Sequence, residues 1–97
     1  LLENPRLTEG LLVPLLASES ALPAVLAVIA GSPKWSVRYP IRLALCQNPR
    51  TPLDRALMLL PMLKRGDLES VAANLRLKLP LRRRAQLLAR GGGELRI

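Results

Sequence analysis

The sequence predicts an all-α fold, a short α-solenoid of stacked helical repeats, and three observations lead there. Asn48-Pro49-Arg50-Thr51-Pro52 has a relaxed copy in Asn4-Pro5-Arg6-Leu7-Thr8, and each copy runs into a leucine-rich segment. Pro23, Pro52 and Pro80 each open an apolar run, 29 and then 28 residues apart, and a fixed period of roughly 20 to 50 residues is the mark of stacked helical repeats. Hydrophobic residues make up 49% of the chain while aromatics make up 2%. The core must therefore be leucine, alanine and valine, with no alternating apolar and polar stretch for a sheet to use.

The elements follow in order. Thr8 caps a helix whose first residue, Glu9, suits the positive end of the helix dipole; it runs to Ser18, bent or ended by Pro14. Pro23 opens a second helix, its missing N–H costing nothing there, and Gly31 stands where a left-handed cap belongs. After a turn through Trp35, Pro40 opens a third helix, which Asn48-Pro49 ends because the residue before proline is pushed out of the α region. Thr51 and Pro52 repeat the opening. Leu53, Ala56, Leu57, Leu60 and Leu63 then form a stripe at helical spacing that Gly66 terminates. Asp67 caps a fifth helix carrying Leu68, Val71, Ala72 and Leu75. The last helix, Pro80 to Arg90, puts Leu81, Ala85 and Leu88 on one face and Arg82, Arg83, Gln86 and Arg90 on the other, until Gly91 to Gly93 stop it.

A chain of 97 residues builds one domain, here residues 1–93, with 94–97 as a flexible tail. Leu1 in place of methionine, and a turn at Asn4 with no helix before it, lead us to expect a piece of a longer chain. The apolar run Ala24 to Ala30 falls well below the roughly 20 residues of a bilayer span, so no membrane span is expected. Cys46 alone rules out an internal disulfide and, with no histidine, argues against zinc; it fits a reducing, cytoplasmic setting. No cofactor is expected. The net charge is +8, of which residues 50–97 hold +7. Such a field draws nucleic acid, acidic protein surfaces or anionic lipid; a leucine- and arginine-rich composition also accounts for it without any function.

Arg42-Leu43-Ala44 followed by Asn48-Pro49-Arg50-Thr51-Pro52 and a leucine-rich helix resembles the leucine-rich repeat variant, a HEAT-like bacterial α-solenoid. The resemblance covers that one repeat well, and Asn4 to Leu16 and Asn74 to Leu88 loosely. It implies a right-handed stack of short helices, some of them 3₁₀, with no shared enzymatic activity. Some members carry a cysteine-rich iron–sulfur segment, which a single Cys46 does not supply.

Catalysis has no constellation to work with. The carboxylates fall mostly at helix starts, where capping explains them, and Gly91-Gly92-Gly93 follows a helix where a phosphate loop would precede one. Two groups remain as candidates for binding. Arg76, Lys78, Arg82, Arg83, Arg84 and Arg90 lie in a stretch with no acid between residues 70 and 93. They could track a phosphate backbone or simply cap the end of a stack. Trp35, with Lys34, Arg38, Tyr39 and Arg42 near it, is either a stacking surface or an anchor between repeats. The expectation is a non-enzymatic module that binds a protein partner, acidic ones included; nucleic-acid binding through the basic half is the alternative.

Overall fold

A computed structural model describes residues 8–92, and all regular structure within them is helical. Six α-helices follow one another: α1 Glu9–Leu16, α2 Pro23–Ala30, α3 Tyr39–Gln47, α4 Leu53–Leu59, α5 Arg65–Ala73 and α6 Leu79–Leu87. A 3₁₀ turn, Leu60–Met62, extends α4, and a π turn, Leu88–Gly92, extends α6. The copy of the proline pentad at Asn4 to Leu7, Gly93 and the tail 94–97 lie outside the described residues.

Each helix is two to three turns long, too short to hold itself together in water, so burial must supply the stability. Leu12, Leu16, Leu26, Ile29, Ile41, Leu45, Leu60 and Val71 form the heart of one continuous core. The helices lie in two rows. α3 packs between α1 and α5, and α4 packs between α2 and α6. The body measures 43 × 27 × 19 Å along its principal axes.

One turn is built three times. After α1, the Ser18 hydroxyl accepts the Ser20 N–H at 3.1 Å, and the Ser18 carbonyl accepts from Ala21 N at 3.2 Å. After α3, the Asn48 side chain accepts from Arg50 N at 2.9 Å and its carbonyl from Thr51 N at 3.1 Å. After α5, the Asn74 side chain accepts from Arg76 N at 3.0 Å and its carbonyl from Leu77 N at 3.1 Å. These are side-chain-closed turns of the kind that Asn and Ser favour, and each leads into the next helix at the same offset, at Pro23, Leu53 and Leu79.

Local expectations hold at several helix ends. Thr8 accepts the Leu11 N–H at 3.3 Å, as an N-cap should, and α2 opens with Pro23 in its first turn. Asn48 leaves the helical region at φ −90°, ψ 119°, as a residue before proline must.

Other ends are set differently. α1 stops at Leu16, with Pro14 accommodated inside it. Gly31 is right-handed, φ −89° and ψ −2°, so this helix end uses none of glycine's left-handed freedom. Thr51 does not cap α4: its hydroxyl turns back to donate to the Leu45 carbonyl at 2.6 Å, and Pro52 takes the N-cap position. Gly66 terminates nothing and lies in the first turn of α5, while Lys64 and not Asp67 is the N-cap. The chain leaves the preceding stripe earlier, at Leu63, with ψ 151°. Asp67 is drawn away from capping by the Tyr39 hydroxyl, which donates to it. Leu75, expected on the α5 stripe, lies beyond the helix in the third turn and is 79% exposed. Leu57 is only half-buried, and Leu59 and Leu60 take the interior in its place. The last helix starts at Leu79 and loosens into the π turn from Leu88, carrying Gly91 and Gly92 within that turn.

Candidate interaction surfaces

The basic residues do not form one exposed stripe, because several guanidinium groups are tied to backbone carbonyls. Arg82 Nε donates to the Ala72 carbonyl at 3.2 Å, so this side chain is half-buried between α6 and α5. Arg42 spans the turn before α3, donating to the carbonyls of Ser36 and Val37, both at 2.8 Å. Arg50 reaches Ala21 O and Arg65 reaches Ala89 O, each at 2.8 Å. Carbonyls near helix ends and turns carry partial negative charge and lack helical partners, and a planar fork of donors satisfies them well. Arginine thus serves as a structural clamp here. Nothing in the local sequence separates a clamping arginine from a solvated one, so Arg50 and Arg65 do not stand out there.

Two more cations have carboxylate partners. Arg76 pairs with Glu19 of the first turn, and Arg38 with Glu9 at 3.4 Å. Both pairs are largely exposed and contribute little to stability. Lys78, Arg83, Arg84 and Arg90 are exposed and have no carboxylate partner among the described residues. Of the six cations in this acid-free stretch, these four remain free to meet an anion.

Trp35 is buried, 2% exposed, at the turn before α3, with Lys34 Nζ 5.1 Å and Arg38 Cζ 5.6 Å from its ring centre. The cations cover the ring, giving it cation–π contacts; it anchors packing and offers no open face for a base. Tyr39 is tied in as well. Its hydroxyl accepts the Lys64 N–H at 2.8 Å and donates to Asp67, joining α3 to the start of α5. Burial first, and then the hydrogen bond to Asp67, raise its pKa above 10.0. Cys46 is fully buried, its Sγ 3.8 Å from the Ala56 carbonyl, and burial pushes its thiol up to about 12. A thiol so protonated is a packing group and a poor nucleophile. Among the described residues no three His, Cys, Asp or Glu side chains converge to hold a metal.

The feature that sequence reasoning missed lies at the other end of the molecule. Residues 10–33 carry a single charged side chain, Glu19. α2, Pro-Ala-Val-Leu-Ala-Val-Ile-Ala, is apolar all round, a pattern that in a globular protein calls for burial on every side. It is buried on one side only: Leu26 and Ile29 face the core, while Val25 and Val28 are exposed, as are Leu22 before the helix and Leu11 and Leu15 of α1; of these, Leu15, Leu22 and Val25 border a groove. The groove has a volume of about 270 Å³ and is lined by both helices and the Ser18 turn. The lack of charge was legible in the sequence. Which of its apolar residues would be left uncovered was not, since that depends on what packs beside them.

No helix among the described residues is long and apolar enough to cross a membrane. Comparison with protein-family models, curated proteins and solved structures gives no match.

Proposed function

We propose that the chain is a non-enzymatic interaction module, a short α-solenoid of HEAT-like helical repeats that binds a protein partner through the apolar face of α1 and α2. The observation that carries this is the uncovered face itself: Leu15, Leu22 and Val25 line one groove between α1 and α2, and Leu11, Leu15, Leu22 and Val28 are each more than half exposed. Contiguous apolar surface of this kind marks binding sites in soluble proteins. The repeat architecture is supported by the three equivalent turns at Ser18, Asn48 and Asn74 and by the two rows of helices that they connect.

A second role, nucleic-acid binding, is favoured by the exposed Lys78, Arg83, Arg84 and Arg90. Arg83→Ala with Arg84→Ala would then lower the slope of log affinity against log salt by up to about 2, roughly one unit for each phosphate no longer neutralised.

Photo-crosslinking separates the two. A benzoylphenylalanine at position 28 is expected to give a discrete protein adduct in cells expressing the chain. One at position 84 giving a nuclease-sensitive adduct would favour the second role. Silence from position 28 overturns the first.

A further inference from the structure

We infer that the outer face of α6 docks on a bilayer surface rich in anionic phospholipid, with its cations on the headgroup phosphates and its leucines inserted beneath them. Neither the α1–α2 face nor a nucleic acid takes part, which sets it apart from the two roles proposed above.

The face is built by α6 itself. Leu81 and Ala85 turn into the core, and the positions on the opposite side of the helix, each four residues from the next, are 79, 83 and 87. These are Leu79, Arg83 and Leu87, a line with a leucine at each end and a cation between them. Both leucines stand in water, 49% and 59% exposed, and Arg83 is exposed as well. Arg84 flanks the line on one side and Gln86 on the other, both exposed. Lys78 is the N-cap of the helix, and Arg90 follows in the π turn. Leu75, in the turn that leads into α6, is 79% exposed, more than any other large apolar side chain among the described residues.

Charge on this face is almost entirely of one sign. No acid occurs between residues 70 and 93, and Lys78, Arg83, Arg84 and Arg90 have no carboxylate partner among the described residues. Glu69 of α5 borders the face on the Gln86 side, sharing a groove of about 360 Å³ with Gln86 and Arg90. Lys78, Arg83 and Arg84 are therefore the cations placed to carry most of the attraction.

The mixture of leucine and cation selects the partner. Cations alone would suit a phosphate backbone, but single strands are held on stacking aromatics. Here Trp35 is 2% exposed, and the Tyr39 hydroxyl is tied to Asp67 and the Lys64 N–H. Contacts to duplex phosphates gain nothing from leucines at 79 and 87, and a polar end that only closes a helical stack has no use for them either. An anionic bilayer uses both kinds of side chain. Its surface charge attracts each Lys and Arg, and apolar groups gain by leaving water for the region beneath the headgroups. Arginine lays its long stem along apolar surface while its guanidinium stays with the phosphates, so Arg83 fits between two leucines that go deeper. With nine residues, α6 is far shorter than the roughly 20 that a span requires. Binding is peripheral and reversible.

Flotation of the purified full chain with lipid vesicles tests this. The chain is expected to float with vesicles of phosphatidylcholine and phosphatidylglycerol, to stay behind with phosphatidylcholine alone, and to bind less as NaCl is added. Arg83→Ala with Arg84→Ala lowers the partition coefficient by about 25-fold, roughly fivefold for each cation. Leu87→Gln lowers it by about five- to tenfold without altering the response to salt. These side chains are exposed, so the variants keep their helical circular dichroism. An environment-sensitive dye on Leu87→Cys gives a second readout, since the buried Cys46 stays unlabelled in the folded chain. Its emission shifts to the blue on anionic vesicles, whereas the same dye on Leu11→Cys of α1 does not respond. No flotation with the anionic vesicles overturns the inference, as does equal flotation with the neutral ones. Unchanged binding by Leu87→Gln, or a dye that responds at position 11 and not at 87, overturns it too. A chain that binds a DNA or RNA oligonucleotide and not the vesicles sinks it and leaves these cations to the nucleic-acid role.

Discussion

Asn48 does three things with one side chain. Its amide donates to the carbonyls of Leu16 and Ser18 and its oxygen accepts the Arg50 N–H, all at a site only 4% exposed. Removing it strands the Leu16 carbonyl, whose bond to the amide is buried, and takes one partner from the part-buried Ser18 carbonyl. We expect Asn48→Ala to cost about 2 to 3 kcal/mol in urea melts, and Asn74→Ala, half-buried and bonded to a side chain, about 1 kcal/mol. Equal costs would show that burial is not what sets the difference. The Cys46 thiol makes a prediction in pH. The unfolded chain releases this proton near 9.0 and the folded one near 12. Between those values the native state binds more protons, so stability is whole below pH 9 and falls above it, by up to about 1.4 kcal/mol per unit. Tyr39, raised above 10.0, acts in the same direction. Denaturant melts from about pH 8 to 11 should show the decline, and Cys46→Ala should flatten it. Iodoacetamide at about pH 8 should label Cys46 only in the unfolded chain.

At the scale of the element, α5 is where local signals and tertiary contacts part. Gly66 and Asp67 read as stop and start: glycine ends helices and aspartate caps them. The structure begins the helix earlier, at Arg65, because the Tyr39 hydroxyl holds both the Lys64 N–H and the Asp67 carboxylate. Gly66 is left in a right-handed helical turn with nothing within 4 Å of where a Cβ would stand. Gly66→Ala is therefore expected to stabilise the protein by roughly 0.5 to 1 kcal/mol, through helix propensity and a less disordered unfolded chain. A loss of stability in thermal melts would mean that this turn is not helical in solution. α4 shows the same parting. Its stripe from Leu53 to Leu63 has an unbroken helical rhythm, yet the backbone tightens to 3₁₀ at Leu60 and extends at Leu63, which places Leu59, Leu60 and Leu63 in the core together.

Taken whole, the molecule carries Lys78, Arg83, Arg84 and Arg90, unpaired among the described residues, towards its last helix and its uncovered apolar surface on its first two. A net charge of +8 repels itself in the compact state, and only two carboxylate–arginine pairs among the described residues offset it, both at the surface. Screening should then help folding: the melting temperature is expected to rise between about 10 and 150 mM NaCl, as the Debye length falls from about 30 to 8 Å. A fall would mean that the exposed pairs outweigh the repulsion.

The sequence by itself determined that the fold is helical, where most helices open, and part of the core of the C-terminal half, Ala56, Leu60, Leu63, Leu68, Val71, Leu81 and Ala85, though not that Leu57 and Leu75 stay out of it. Those depend on proline, capping residues and apolar spacing, which act within a few residues of one another. It also marked the Asn48 turn, since asparagine before proline has few conformations to choose from. Tertiary structure alone decided the rest. It turned Arg50, Arg65 and Arg82 from solvated charges into clamps on carbonyls, because these guanidinium groups are tied down only when a turn or helix end from another part of the chain comes within reach. It buried Trp35 beneath two cations. It left Leu15 in water while burying Leu45 and Val71 at equivalent places, because a side chain's exposure depends on whether a neighbouring helix covers it, and that neighbour comes from elsewhere in the chain.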